Sequence, residues 1–242
     1  MICKASEKKV LLLFLLAGHV FSYSQVINSS KCDSTDRFPI TQYVSIFKTL
    51  TLIGLDSALA ANSENKFIKA PPKPVLVLNY DPYYYWFRII VRNIGAYPRD
   101  LRLLMAPIGM KEGQLFQKHQ GTWKVIGRSG VRYRFKDRPY QFTHNVFPIT
   151  LPANTIDTFY LSTDVSGVYK AFGFALIKPK DLKVFENNVY FIFGIIVGLL
   201  LLFFILNVSL FFVLRRNIHL WYALYIAFLF LIVMKNDHLD QQ

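Results

Sequence analysis

Apolar and polar positions change their period along the chain, and each change marks an element. The first segment sets Lys4, Lys8 and Lys9 before a short apolar run over 10–17, then places small residues at Ser22 and Ser24. That is the layout of a secretory signal. The run is too short to span a bilayer, so residues 1–24 are expected to be cleaved off between Ser24 and Gln25. Residues 25–39 are polar, with Asn28, Ser29, Ser30, Ser34 and Thr35, and read as a flexible lead-in. Residues 40–61 offer a short strand and then a helix, in which Leu52, Leu55 and Leu59 recur at helical spacing before Asn62 and Ser63 close it. Pro71, Pro72 and Pro74 make a stiff connection into the next segment.

From Val75 the period falls to two. Strands are expected over 75–80, 84–93, 100–106, 114–117, 122–127, 131–136, 145–151, 156–163 and 168–177, so a single sandwich fills 40–183. Phe87, Ile89 and Val91 share one face while Arg88 and Arg92 take the other, and Phe172, Phe174 and Leu176 repeat the pattern. An antiparallel sheet with one buried side requires this alternation. Asn93 to Gly95, Gly113, Lys118 to Gly121, Ser129-Gly130 and Pro152 to Asn154 supply turn residues between the strands. The predicted fold class is mainly β: an antiparallel β-sandwich ectodomain followed by one or two transmembrane α-helices.

Residues 189–214 form the first of those helices. They carry no charge, and Asn207 and Ser209 are the clearly polar interruptions. That length exceeds what a tilted membrane helix needs. Arg215 and Arg216 come immediately after it, and the positive-inside rule places them in the cytoplasm and the sandwich outside. A second apolar stretch at 218–234, rich in aromatic residues, is near the minimum for crossing. The expected location is the bacterial inner membrane, with the sandwich on its periplasmic or extracellular side.

The formal net charge of +13 raises nucleic acid, anionic lipid or an acidic ligand as partners. Residues 25–188 hold 22 Lys and Arg against 12 Asp and Glu, and an exported domain cannot handle the genome. Nucleic acid is therefore set aside, and membrane lipid and a carbohydrate or other small-molecule ligand remain. Cys3 falls in the signal, so the mature protein keeps one thiol, Cys32, read as a neutral tail residue. One thiol builds neither a disulfide framework nor a cysteine metal site.

No catalytic constellation marks this chain as an enzyme. Asp56, Asp81, Asp100, Glu112, Asp137, Asp157 and Asp164 are scattered singly, no G-x-S-x-G elbow occurs, and His119 and His144 have no metal-ligand spacing around them. Both histidines read as surface or satisfied residues, and no cofactor is expected. Arg132, Arg134, Lys136 and Arg138 fall at every second position. On a strand they would form a positive stripe for an acidic glycan or lipid headgroups, or a plain solvated face. Among the aromatic residues from Tyr80 to Phe87 and beyond, Tyr83, Trp86, Trp123 and Tyr140 are the candidates to line a sugar-stacking pocket. Asn207, polar at membrane depth, points to a helix contact of the kind a homodimer through the membrane helices would supply.

Several pieces in fixed order resemble one family. They are Tyr85-Trp86-Phe87-Arg88 with Arg92-Asn93, Gly121-Thr122-Trp123, Arg138-Pro139-Tyr140, Phe147-Pro148-Ile149 and Phe159-Tyr160-Leu161, then Gly194, Gly198, Asn207, Leu210, Arg215, Leu220, Tyr222 and Tyr225 near the membrane. Together they resemble the start of the bacterial seven-transmembrane receptors with diverse intracellular signalling modules, with the second type of extracellular domain. The resemblance implies a jelly-roll-like sandwich that binds carbohydrate or a related ligand, ahead of seven helices and a cytoplasmic effector. Five helices and the effector are missing here, so a truncated receptor is expected. The rival expectation is a membrane-tethered glycan-binding or structural envelope protein without a signalling role.

Overall fold

The computed structural model describes residues 26–78, 82–106, 110–142, 144–166 and 171–236. The expected signal at 1–24, together with Tyr80 and Asp81, lies outside them. Twelve strands alternate with two helical regions. They are β1 (Ile27–Asn28), β2 (Arg37–Pro39), β3 (Ser45–Thr49), β4 (Ile68–Lys69), β5 (Leu76–Val77), β6 (Tyr84–Asn93), β7 (Arg99–Ala106), β8 (Glu112–His119), β9 (Thr122–Ser129), β10 (Asn145–Leu151), β11 (Thr155–Asp164) and β12 (Ala171–Ile177). Helix α1 (Leu55–Ser63) comes after β3, and α2 (Pro179–Leu214) and α3 (Asn217–Asn236) close the chain.

The strands make two sheets. The larger runs β4-β3-β6-β11-β8-β9 with β1 beside β6, and the smaller runs β10-β7-β12-β2 with β5 beside β12. From β6 onward the chain crosses repeatedly between the sheets, the wrapping of a jelly-roll-like sandwich. The ladders are antiparallel except where β1 meets β6. Inward faces fill the space between the sheets: Phe87, Ile89 and Val91 meet Phe172, Phe174 and Leu176, all buried. Phe87 sits edge-on to both Phe172 and Phe174 at 4.8 Å, a geometry that adds to the area each ring buries.

Three expectations need correction. The described part of the expected lead-in, 26–39, is not loose, because β1 and β2 join the two sheets and a 3-10 turn, Ser29–Asp33, lies between them. Ile27 and Cys32 belong to the core, and burial pushes the Cys32 thiol up to about 11. Strands two or three residues long are too brief to show a period. Residues 131–136 are not a strand: Gly130, at φ 127°, reverses the chain, and turn bonds from Tyr133 N to Gly130 O and from Asp137 N to Arg134 O replace a ladder. Gly113 is not a turn residue but lies inside β8, where a Cβ would come within 2.4 Å of the Met110 methyl.

Helix α2 is unbroken from the sandwich into the apolar run. Its first turns pack on the outer face of the smaller sheet, where Leu182, Phe185 and Val189 join Leu104, Phe142, Val146, Ala175 and Ile177. Phe142 meets Phe185 edge-on at 5.8 Å, and His144 lies against both rings. Beyond this junction α2 is long and apolar enough to cross a membrane. It ends at Arg215 in the left-handed region, after which α3 folds back against it. Asn207 donates to the Phe203 carbonyl of its own helix at 2.9 Å.

Candidate functional site

The outer face of the larger sheet carries α1. Ala58 and Ala61 pack there with Phe67, Trp86 and Tyr160, while Trp123 and Phe116 lie at the margin of the cluster. Arg88 clamps the helix end by donating to the Asn62 side chain and lies over the Phe67 ring. The same pleat that sends Tyr85 and Phe87 into the central core therefore sends Trp86 and Arg88 out under α1.

Where the β3–α1 connection crosses this face, it bounds a cavity of about 130 Å³. Register dictates its floor. Trp86 stands opposite Ser162, and Ser162 opposite Gln114; at the end of the ladder Asp164 stands opposite Glu112. Leu52, Ile53 and Leu55 form the apolar wall with Trp86 and Phe116, while Glu112, Gln114, Ser162 and Asp164 form the polar one. Trp86 is 1% exposed, and its indole N–H has no hydrogen-bond partner among the described residues. A buried donor left unpaired costs about 1–3 kcal/mol.

The charges around the cavity are largely matched internally. Glu112 accepts from the Tyr133 hydroxyl at 2.7 Å, from Gln114 at 2.7 Å and from Arg132 at 2.9 Å. The Tyr133 bond, with the others, holds the Glu112 carboxyl below the usual range, and burial raises the Tyr133 hydroxyl. Arg132 also reaches Asp164 at 3.6 Å, and Asp164 accepts from the backbone and hydroxyl of Ser166. Arg132 thus bridges two carboxylates across neighbouring strands and is not part of a positive stripe.

The aromatic and basic candidates do not converge. Trp86 lines the cavity; Trp123 shares its sheet face but packs edge-on to Tyr160 at 5.3 Å. Tyr83 is half-buried with the Lys48 ammonium 4.7 Å above its ring. Tyr140 lies on the opposite sheet's outer face beneath the Arg102 guanidinium, 5.1 Å away. Arg134 is exposed on the loop after Gly130. Glu112, Gln114, Ser162 and Asp164 were not singled out from sequence as a set, because only cross-strand register unites them. Among the described residues no His, Cys, Asp and Glu group could hold a metal.

The family model for the 7TMR-DISM extracellular 2 domain matches residues 42–168, which covers β3 to β11 and the whole cavity. The chain belongs to this family. A 7TMR-DISM extracellular 2 domain is the outward-facing, sensory part of a seven-transmembrane receptor, and the family is one of receptor domains and not of enzymes. No curated protein matches the sequence. Among solved structures, the insecticidal crystal protein Cry2Aa is similar over 40% of this chain and 17% of its own, at 11% identity and a TM-score of 0.26. A β-glucosidase from Kluyveromyces marxianus in complex with glucose is similar over 56% of this chain and 16% of its own, at 10% identity and a TM-score of 0.30. This chain spans less than a fifth of either structure, and such distant likenesses carry no argument.

Proposed function

We propose that this chain is the ligand-sensing part of a bacterial membrane receptor and that its ligand is a neutral carbohydrate held in the cavity beside Trp86. The observation that carries the proposal is a cavity with one apolar and one polar wall, lined by Trp86, whose buried indole N–H has no partner among the described residues. A sugar ring has the same two aspects: C–H faces that pack on Leu52 and Trp86, and hydroxyls that pair with Gln114, Ser162, Asp164 and the indole. Arg132 is already committed to Glu112 and Asp164, which favours a neutral ligand over an acidic one. The cavity is smaller than the ~300–1,000 Å³ of drug-sized sites and suits a single ring. Sensing requires that the sugar prefer one of two arrangements of sandwich and helix, and the packing of α2 on the smaller sheet is the contact through which it would act.

Isothermal titration calorimetry of the full chain in detergent with neutral monosaccharides tests this. A saturable change is expected, weakened about tenfold by Trp86→Phe, which keeps a ring and removes the donor. Binding by Trp86→Phe at undiminished affinity, or no response to any neutral sugar, would overturn the proposal.

A further inference from the structure

The junction between sandwich and membrane helix encloses a second cavity, of about 250 Å³, on the opposite side of the domain from the sugar site. Asp36 and Arg37 come from the start of β2, and Asp181, Val184, Phe185 and Asn188 from one face of α2. The wall is mixed. Phe185 and Val184 are apolar, the Arg37 guanidinium lies 5.4 Å over the Phe185 ring, and two carboxylates stand around the same space. Among the described residues no carboxylate is within salt-bridge distance of Arg37, whereas Asp181 has Lys178 at 3.1 Å.

Its depth is set by the helix. The apolar residues 189–214 rise about 39 Å at 1.5 Å each, more than the ~30 Å hydrocarbon layer. With a modest tilt the first turn of that run lies among the headgroups. Asn188, at one end of the cavity, immediately precedes the run. What reaches the cavity from the bilayer is a headgroup and not an acyl chain.

We propose that this cavity binds the phosphoethanolamine headgroup of a membrane lipid, with the phosphate on Arg37 and the ammonium on Asp36 and Asp181. Charge complementarity selects it. A purely anionic headgroup would satisfy Arg37 but set its charge beside Asp36, which has no cation within salt-bridge distance among the described residues, Asp181 being the one that Lys178 already compensates. A choline headgroup has the right charges but no N–H to donate. Phosphoethanolamine offers a planar guanidinium fork its phosphate oxygens and offers the carboxylates three N–H donors. Phe185 and Val184 would cover the ethylene link.

The test is native mass spectrometry of the full chain from mixed micelles holding phosphatidylethanolamine, phosphatidylglycerol and phosphatidylcholine at equal mole fraction. Phosphatidylethanolamine is expected to be retained about tenfold over the other two, the factor one charge-assisted hydrogen bond supplies. Asp36→Asn should bring its retention down to that of phosphatidylcholine, and Arg37→Gln should lower the retention of all three phosphate-bearing lipids, neither variant, on exposed positions, lowering the melting temperature. Equal retention of the three lipids, preference for phosphatidylglycerol, or unchanged selectivity in both variants would overturn the proposal. So would displacement of the lipid by free phosphoethanolamine at equal concentration, which would make the ligand a soluble one.

Discussion

Gly130 is where a single methyl group does the most damage for its size. Its φ of 127° is one that side-chain-bearing residues rarely adopt, and a Cβ built there would lie 2.6 Å from the Lys111 carbonyl oxygen and 2.9 Å from the Glu112 Cα. Both obstacles are backbone, so no rotamer relieves them. The strained backbone costs about 1–3 kcal/mol. The forced shift also endangers the bonds from Val131 N to Met110 O at 2.9 Å and from Arg132 N to Lys111 O at 3.0 Å, adding roughly 1–3 kcal/mol if both are lost. Gly121 is the internal control, because it also has positive φ, 84°, but no heavy atom within 4 Å of its Cβ position. There Ala should cost only ~1–2 kcal/mol. Thermal melting of the full chain in detergent, followed by near-ultraviolet circular dichroism, should therefore place Gly130→Ala roughly 5–15 °C below Gly121→Ala. Because the displaced strand carries Glu112, the sugar response should fall with it. Equal melting points for the two variants would refute the reasoning.

Three other outcomes are expected from the same structure. The depressed Glu112 carboxyl, held first by Tyr133, contributes stability that is present above the unfolded glutamate pKa and lost as pH falls through the lower folded value; Glu112→Gln and Tyr133→Phe should each flatten the acid limb of a melting-temperature profile, and an unchanged limb in both counts against the network. Phe185→Ala removes the ring that Phe142 and His144 pack on, so hydrogen exchange should rise in 144–146 and 182–189 while β6 stays protected; unaltered exchange there would mean the helix is not docked through that ring. Cys32, buried with its thiol pushed up to about 11, should react with iodoacetamide far more slowly in the folded chain than in urea, and equal rates would place it outside the core.

Much of the architecture was legible because long strands with one buried face announce themselves. Tyr84–Asn93 and Asn145–Leu151 have the boundaries their alternation predicts. The failures have physical causes. Arg132 to Arg138 alternate like a strand, yet the chain turns at Gly130, and the Arg132 charge is drawn to Glu112 and Asp164. Gly113 resembles a turn residue but is needed small, under Met110 and Phe147. Trp86, a candidate from the sequence, lines the cavity, while the polar residues beside it carried no signal: Glu112 and Asp164 are neighbours through strand pairing alone, and no local spacing encodes a register between distant strands.

The absence of a break in Pro179–Leu214 has a mechanical consequence. With its upper turns packed on the smaller sheet and its lower turns in lipid, the helix transmits torque as a shaft does: turning the sandwich about the membrane normal turns every residue down to Leu214 by the same angle. Since successive residues are ~100° apart around the axis, a modest rotation of the domain would change which stripe of side chains meets a neighbouring helix. Among the described residues the helix has no break between its docked turns and Leu214 at which that rotation would be lost.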